Sequence, residues 1–228
     1  NTLNAQASLL NEYVARQESI LTAFSKTPCV RDFLKNVNNS EQQAIVQSYT
    51  ADYYSGLNNW EGIYIGEWNT HIVAHSNPKV IGMTTRKGDS LKALQDAMTQ
   101  RNGLYDAGII VSPSSGELIL SMYCPVFDTD GKTILGYVGG GPFVKELEKQ
   151  LYNLKSENDT LRYYMVNTET NMYIFADDSS LIATDIQDDM LLNIIDKIKS
   201  GETSGDLNYK KGSDSFVASY QSIAEHGW

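Results

Sequence analysis

The chain has 228 residues, of which 41% are hydrophobic and 20% charged, as expected of a folded protein with a sizeable core. Eighteen basic and 28 acidic residues give a net charge of −10, which argues against nucleic acid or an anionic lipid surface as a partner. The two cysteines, Cys29 and Cys124, exclude a disulfide scaffold and form no Cys/His metal motif. No apolar run approaches the roughly 20 residues of a transmembrane helix.

The two ends of the chain are those expected of a fragment. The first residues lack the basic start and the apolar stretch of a signal peptide. The sequence opens within a helical pattern and stops at Trp228 without a terminal turn. We therefore expect a piece excised from a longer protein.

The first 57 residues are predicted to be helical. Residues 1–25 carry apolar side chains in a heptad-like rhythm, with the polar Gln17 at one core position. This long helix either packs along the body of the domain or also pairs with a second copy as a stalk. Thr27-Pro28 predicts the start of a short second helix, and the capping box Ser40-Glu-Gln-Gln43 predicts the start of a third.

From Trp60 the pattern changes to β-branched and aromatic residues that favour strands. The predicted order is a hairpin, a helix, three antiparallel strands joined by tight turns, and a helix, in residues 62–75, 90–100, 107–140 and 143–154. Such an order is α+β, with one five-stranded antiparallel sheet and flanking helices. It does not fit a dinucleotide-binding βαβ fold.

The same order then partly recurs. A hairpin, a helix and two more strands are predicted in residues 162–176, 189–199 and 206–223. We interpret this as an internal duplication whose second copy is truncated at its C-terminus. The predicted domains are a helical region in 1–57, a first module in 58–155 and a second module in 156–228.

Several patterns that resemble chemical sites have simpler explanations. His71 and His75 lie in a predicted strand, where residues four apart are about 13 Å from each other and cannot share a metal ion. Residues 128–131 have the Asp-Thr-Asp-Gly start of a calcium loop but run directly into a strand, so a hairpin turn is expected. Residues 139–142, Gly-Gly-Gly-Pro, lack the Lys-Ser/Thr of a phosphate loop, so we favour a strand end with close backbone packing and keep ligand approach open.

The sequence contains no nucleophile elbow and no pair of carboxylates that its pattern singles out, so we predict that the protein is not an enzyme. Two features favour recognition instead. Aromatic residues are dense around the first sheet, at Trp60, Tyr64, Trp68, Tyr105 and Tyr123. Arg86 lies in a polar loop before a helix, and an arginine in an aromatic site suits a carboxylate or another polar organic ligand. The simpler alternative is that the aromatics are core residues and that Arg86 is solvated.

Four segments together resemble a double Cache sensor domain. They are the long helix of residues 1–25, the hairpin of residues 60–76, the block SGELILSMYCPVFDTDGKTILGYVGG at 115–140 and the terminal SYQSIAEHGW at 219–228. The resemblance covers nearly the whole chain. It implies an extracellular or periplasmic domain of a bacterial membrane receptor, with a long helix followed by two PAS-like modules. The flanking transmembrane helices would lie outside this chain, and a homodimer is expected in the full receptor.

The resemblance also implies that the first, membrane-distal module binds a small molecule. Arg86 matches the arginine of the family's amino-acid-binding pattern, but Gly88 and Asp89 stand in place of its aromatic pair. Two of its acidic positions fall on Ser112 and Gly141, so we expect a carboxylate or other polar metabolite and consider an α-amino acid doubtful. The predicted pocket residues are Tyr64, Trp68, Arg86, Ser112, Tyr123 and Gly141.

The sequence therefore predicts the ligand-sensing domain of a chemotaxis receptor, histidine kinase or diguanylate cyclase that signals through the long helix. No catalytic residue, metal site or cofactor is predicted. The alternative is a protein-interaction or dimerisation ectodomain without a small-molecule ligand.

Overall fold

The computed structural model describes residues 2–153 and 161–228. It confirms the α+β class, with a long N-terminal helix and antiparallel sheets. The chain divides into two compact units, which are described separately below. The first unit contains residues 15–144, and the second contains residues 2–14 together with the described part of 145–228. The predicted boundary between residues 155 and 156 lies outside the described residues.

Six α-helices are found in the described ranges. They are α1 (Thr2–Ser25), α2 (Pro28–Lys35), α3 (Ser40–Ser55), α4 (Gly88–Arg101), α5 (Lys145–Asn153) and α6 (Asp189–Lys199). None of them combines the length and the apolar character that crossing a membrane requires. The predicted end of the fifth helix at residue 154 falls outside the described residues.

The first unit contains the predicted five-stranded sheet. Its strands are β1 (Trp60–Glu67), β2 (Ile72–His75), β3 (Tyr105–Val111), β4 (Leu118–Phe127) and β5 (Ile134–Pro142). They are all antiparallel and are arranged in the order β2-β1-β5-β4-β3. β5 therefore lies at the centre and pairs with β1, which precedes it by about 70 residues in the printed sequence.

One face of this sheet forms the main core with the helices that precede it. Its buried side chains include Ile63 and Ile65 on β1 and Met122 on β4. The polar residue in the heptad pattern of α1, Gln17, is buried there because its Oε1 accepts a hydrogen bond of 2.9 Å from the indole N–H of Trp60. A buried amide is tolerated when it is bonded in this way, so Gln17 is a packing residue of the first unit.

The start of α3 differs from the predicted capping box. The N-cap is Asn39, whose side-chain oxygen accepts hydrogen bonds of 3.1 Å from the backbone N–H groups of Glu41 and Gln42. Ser40, the predicted cap, is the first residue of the helix. The prediction was therefore displaced by one residue, because asparagine and serine both cap well and stand next to each other here.

We expect Asn39→Ala to lower the free energy of unfolding by about 1 kcal/mol, because two N–H groups at the start of α3 would lose their acceptor. Ser40→Ala is the matched control and should change it by less than about 0.5 kcal/mol. Urea denaturation of both variants measures the difference. Equal losses in the two variants would contradict the assignment of the cap.

The second unit contains two separate two-stranded antiparallel sheets. They are formed by β6 (Tyr164–Asn167) with β7 (Met172–Ala176) and by β8 (Ser204–Lys211) with β9 (Asp214–Gln221). α6 packs its apolar side chains into a core with β7, made of Tyr173, Ala176, Ile186, Leu191 and Ile195.

The predicted duplication has a residue-level counterpart in the structure, at a constant offset of 101 positions in the printed numbering. Asn77 and Asp178 each accept a hydrogen bond from the backbone N–H two residues on and begin a short 3-10 turn. The residues that end these turns, Ile81 and Ile182, have nearly identical backbone angles, φ −59° and ψ 134° against φ −60° and ψ 134°. The two hairpins and their following loops are therefore built on one plan.

Candidate functional site

The other face of the five-stranded sheet carries aromatic and polar side chains beneath α4. Leu94 and Met98 of α4 pack on the rings of Tyr123 and Tyr137, which come from β4 and β5. We call these four residues, with the neighbouring Tyr64, Arg86, Trp68, Tyr105 and Ala107, the aromatic cluster. The cluster combines residues from four strands with a loop, which is the construction expected of a ligand site on a rigid scaffold.

Arg86 is held at the edge of the aromatic cluster. Its Nη2 donates a hydrogen bond of 3.1 Å to the hydroxyl of Tyr123, and its Cζ lies 5.4 Å from the centre of that ring. The hydroxyl of Thr70 fixes the loop, because it accepts from the backbone N–H of Arg86 at 3.0 Å and donates to its carbonyl at 3.1 Å. Among residues 2–153 and 161–228, no carboxylate forms an ion pair with this half-buried guanidinium.

Three phenol groups meet beside Arg86. The centroid of the Tyr137 ring lies 6.1 Å from the centroid of the Tyr64 ring and 6.2 Å from that of the Tyr123 ring. Burial raises the pKa values of Tyr64 and Tyr137 well above the usual range for tyrosine, so both are neutral hydrogen-bond donors at physiological pH. The hydroxyl of Tyr137 is buried, and although Thr85 lies near it, no described residue forms a hydrogen bond of good geometry with it. A buried donor in this state is a strong indication of a site that a ligand acceptor can satisfy.

His75 forms the wall of the site at the edge of the sheet. Its ring stacks on Tyr64 with a centroid distance of 5.2 Å, and its Nδ1 accepts a hydrogen bond of 2.8 Å from the backbone N–H of Asn77. Burial lowers the pKa of His75 to about 4, although the nearby carboxylate of Glu61 acts in the opposite direction. The ring is therefore neutral at pH 7, and the bond to Nδ1 places its proton on Nε2.

A carboxylate lies at the start of β1, where the pairing with β5 is irregular. Glu61 occupies this irregularity, between Trp60 opposite Pro142 and Gly62 opposite Gly141. Its Oε1 accepts hydrogen bonds from the hydroxyl groups of Ser112 and Ser114 in the turn after β3. The turn is thereby tied to the first strand of the sheet.

Glycines let two aromatic rings pack directly on the strands of this face. In the register of the sheet, Tyr64 lies opposite Gly139 and Gly66 lies opposite Tyr137. A Cβ on Gly139 would collide with the ring of Tyr64, and one on Gly66 would collide with the ring of Tyr137. The two rings therefore lie flat over strand backbone, which a side chain at either glycine would prevent.

Four of the six predicted pocket residues come together in the aromatic cluster: Tyr64, Trp68, Arg86 and Tyr123. Ser112 is not among the residues of the cluster, and its hydroxyl donates a hydrogen bond to Glu61. A Cβ on Gly141 would collide with the backbone carbonyl of Leu120, so this position has no space for the side chain that the resemblance implies.

Sequence reasoning missed Glu61 and Tyr137 and weighed His75 only as a metal ligand. The positions of both side chains depend on the pairing of β1 with β5, which are far apart in the sequence. Such pairing leaves no pattern in the local sequence. Tyr137 stands in the block at 115–140 that resembles the family, but no local pattern marks which face of the sheet it occupies.

The patterns that had simpler explanations are ordinary structural elements. His71 contacts Thr84, whereas His75 stacks on Tyr64, so the two histidines have separate surroundings. In the predicted hairpin turn, Asp130 accepts backbone hydrogen bonds from residues 132 and 133 at 2.8 Å each, which confirms the turn. Residues 139–142 belong to β5 and pair with β1, which confirms a strand end.

Comparison with known proteins agrees with this architecture. The family model described as Cache domain matches residues 1–228. The sensor domain of the V. cholerae histidine kinase DctB aligns with a TM-score of 0.70 at 13% identity, covering 99% of this chain and 91% of that one. The sensory domain of the Campylobacter jejuni chemoreceptor Tlp3, solved with isoleucine bound, aligns with a TM-score of 0.64 at 15% identity, covering 95% of this chain and 83% of that one.

The ligand-binding domain of the same chemoreceptor in complex with L-valine aligns with a TM-score of 0.63 at 14% identity, again covering 95% of this chain and 83% of that one. No curated protein matches the sequence. At these identities the solved structures establish the fold, whereas the family model covers the sequence from end to end. The chain therefore belongs to the Cache domain family.

Proposed function

We propose that this chain is the extracellular ligand-sensing domain of a bacterial transmembrane receptor, and that it binds a small organic molecule at the aromatic cluster. One observation carries the proposal: Arg86 and the buried hydroxyl of Tyr137 border one face of the sheet, and among the described residues Arg86 has no ion-pair partner and the Tyr137 hydroxyl has no hydrogen bond of good geometry. A ligand with an anionic or acceptor group would satisfy both. The domain would bind this molecule without transforming it.

The comparison between the two units supports the first unit as the binding unit. At the offset of 101 residues, the position of Arg86 corresponds to Gln187 and that of His75 to Ala176. Ala176 is buried in an apolar core with Tyr173 and Ile186. At the position of His75, the second unit therefore has a small apolar core residue in place of a polar ring.

A carboxylate-bearing ligand fits this site best, because a guanidinium can bind a carboxylate through two parallel hydrogen bonds. Two of the similar solved structures contain isoleucine and L-valine. The sequence-based expectation against an α-amino acid thus has no support from the comparisons, and amino acids belong in any ligand screen.

Binding would act on the receptor by favouring one of two packings of the sheet against the helices. A ligand shifts such an equilibrium only by its difference in affinity for the two states. The cytoplasmic output would be that of a chemotaxis receptor, a histidine kinase or a diguanylate cyclase, and the receptor would be a homodimer held in the membrane by helices outside this chain.

The test is a thermal-shift screen of L-amino acids, organic acids, sugars, amines and purines. A compound at 100 times its dissociation constant stabilises the folded state by about 2.7 kcal/mol, which raises the melting temperature by several degrees. Arg86→Met should weaken binding of the compound by about 10- to 100-fold, because a charge-assisted pair is lost. Arg16→Met, at an exposed position of α1, is the matched control and should leave binding unchanged.

Two results would contradict the proposal. Unchanged affinity of Arg86→Met would place the site elsewhere. A chain that binds no compound of any class but forms a stable dimer by sedimentation would favour the alternative, a dimerisation or protein-interaction domain.

A further inference from the structure

Thr70 has a backbone conformation that its residue type disfavours. It lies in the turn between β1 and β2, its φ is 67°, and its side chain is buried. A β-branched residue rarely adopts a positive φ, because the two heavy atoms on its Cβ crowd the neighbouring backbone. Such a conformation persists only where the surroundings hold it, and residues held in this way are concentrated at functional sites.

The second unit contains the same turn with a different residue. At the offset of 101 positions Thr70 corresponds to Asn171, whose φ is 55°. The backbone pairing of the turn also recurs: the N–H of Thr85 donates to the carbonyl of Thr70 at 3.2 Å, and the N–H of Ile186 donates to the carbonyl of Asn171 at 2.9 Å. Asparagine is one of the few residues that adopt this conformation readily. The turn and its pairing therefore do not require a threonine.

The difference between the two units lies in the side chain at this position. The hydroxyl of Thr70 accepts a hydrogen bond from the backbone N–H of Arg86 and donates one to its carbonyl, so it holds this residue from both sides. Asn171 has no hydroxyl, and its side-chain oxygen accepts a hydrogen bond of 3.2 Å from Lys199 instead. The residue that corresponds to Arg86 is Gln187, which is exposed. The strained threonine thus occurs in the unit whose loop carries a half-buried arginine.

The turn that carries Thr70 is itself fixed to the elements that surround the aromatic cluster. The N–H of Thr70 donates a hydrogen bond of 2.8 Å to the carbonyl of Glu67, at the end of β1. From α4, Nε2 of Gln95 donates a hydrogen bond of 2.9 Å to the carbonyl of Trp68. A residue that is bonded to this turn is therefore held in place relative to both the sheet and α4.

We propose that Thr70 is a positioning residue of the ligand site. Its hydroxyl keeps the backbone of Arg86 in place, so that the guanidinium lies beside Tyr123 before a ligand arrives. A long side chain that is ordered in advance loses less conformational freedom when a ligand binds, and the affinity is correspondingly higher. This inference rests on the proposed function, in which Arg86 contacts the ligand.

The first test measures amide hydrogen exchange by NMR and requires no ligand. Thr70→Val keeps the size and branching of the side chain but removes the hydroxyl, so exchange of the Arg86 N–H should accelerate by about tenfold or more. The N–H of Thr85 should stay within about threefold of the wild type, because its acceptor is a backbone carbonyl. Thr70→Ser keeps the hydroxyl and should match the wild type at both groups. Unchanged exchange at Arg86, or equal acceleration at both groups, would overturn the positioning role.

The second test measures affinity by isothermal titration calorimetry, with the 20 common L-amino acids, acetate, lactate and citrate as probes. For each probe that binds, Thr70→Val should weaken binding by about three- to tenfold and Thr70→Ser by less than about twofold. Thr99→Val removes an exposed hydroxyl from α4, and as the matched control it should leave binding unchanged. In a chain that already carries Arg86→Met, Thr70→Val should have no further effect, because the residue that it positions is absent. A purely structural role of Thr70 would lower the affinity in both backgrounds and would overturn the proposal.

Thr70→Asn keeps the test decisive if Thr70→Val does not fold, because the second unit has asparagine in the same turn. This variant also lacks the hydroxyl and should weaken binding as Thr70→Val does. Wild-type affinity in either variant, with binding lost in Arg86→Met, would overturn the role of Thr70 but leave the proposed function intact. Failure of every compound class in the thermal-shift screen would overturn the proposed function itself.

Discussion

Gly141→Ala is expected to destabilise the first unit by about 3 kcal/mol or more, because the added methyl group would meet strand backbone. A Cβ at this position would collide with the carbonyl oxygen of Leu120 on the neighbouring strand β4. A flexible side chain could rotate away, but this carbonyl is fixed between the paired strands. The central pairing of the sheet would have to shift, and the aromatic cluster is built on that pairing.

Urea denaturation of Gly141→Ala measures this loss directly. Gly56→Ala is the matched control, since Gly56 ends α3 in a right-handed helical conformation and a Cβ there would lie 3.5 Å from the nearest atom, the carbonyl oxygen of Tyr53. The control should stay within about 0.5 kcal/mol of the wild type or gain slightly in stability. A loss of less than 1 kcal/mol in Gly141→Ala would show that β4 and β5 are not packed as described.

Local sequence patterns were sufficient to predict the elements but not the order of the strands. The β-branched and aromatic residues of β1 and the periodicity of α4 are local features of the sequence, and both elements were found close to their predicted ends. The central position of β5 depends on its pairing with β1, and no local pattern encodes a contact over that separation. The face on which Tyr137 lies follows from this pairing.

The sequence could predict those residues of the candidate site whose type is conspicuous in its local context. Arg86 in a polar loop and the tyrosines of the first sheet stood out by residue type. The resemblance places acidic groups at positions 112 and 141, where this chain has serine and glycine, whereas the structure brings the carboxylate of Glu61 to Ser112 from another strand. A strand irregularity moves a side chain away from the alternating pattern, so alternation could not reveal it.

The repeated order of elements was predictable from the sequence, whereas the match between the two copies in backbone conformation was not. Gly82 and Ala183 occupy the same position at the offset of 101 residues, and both have positive φ, 88° and 61°. Glycine adopts this conformation readily and alanine does not, so the second loop is held by its surroundings. Different residue types adopt the same backbone conformation at matching positions. The two copies are therefore similar in structure where their amino-acid sequences are not.

The acid stability of the first unit should depend on His75. Burial lowers its pKa from 6.5 to about 4 in the folded chain. The unfolded chain takes up a proton near pH 6.5, so the stability contributed by the neutral ring is fully present above pH 6.5 and is lost as the pH falls towards 4. The shift sets an upper limit of about 3 kcal/mol, and because the ring is only partly buried we expect about 2 kcal/mol.

His75→Gln removes this titration and separates it from that of the acidic residues. The variant should be less stable than the wild type at pH 7.5, because the stacking on Tyr64 is lost. Between pH 7.5 and 4.5 the difference should move by about 2 kcal/mol in favour of the variant, because only the wild type must keep a buried imidazole neutral. Urea denaturation at the two pH values measures this change, and His71→Gln shows how much the removal of another histidine contributes. A difference that stays constant with pH, or that moves equally in both variants, would mean that His75 is not held neutral by burial.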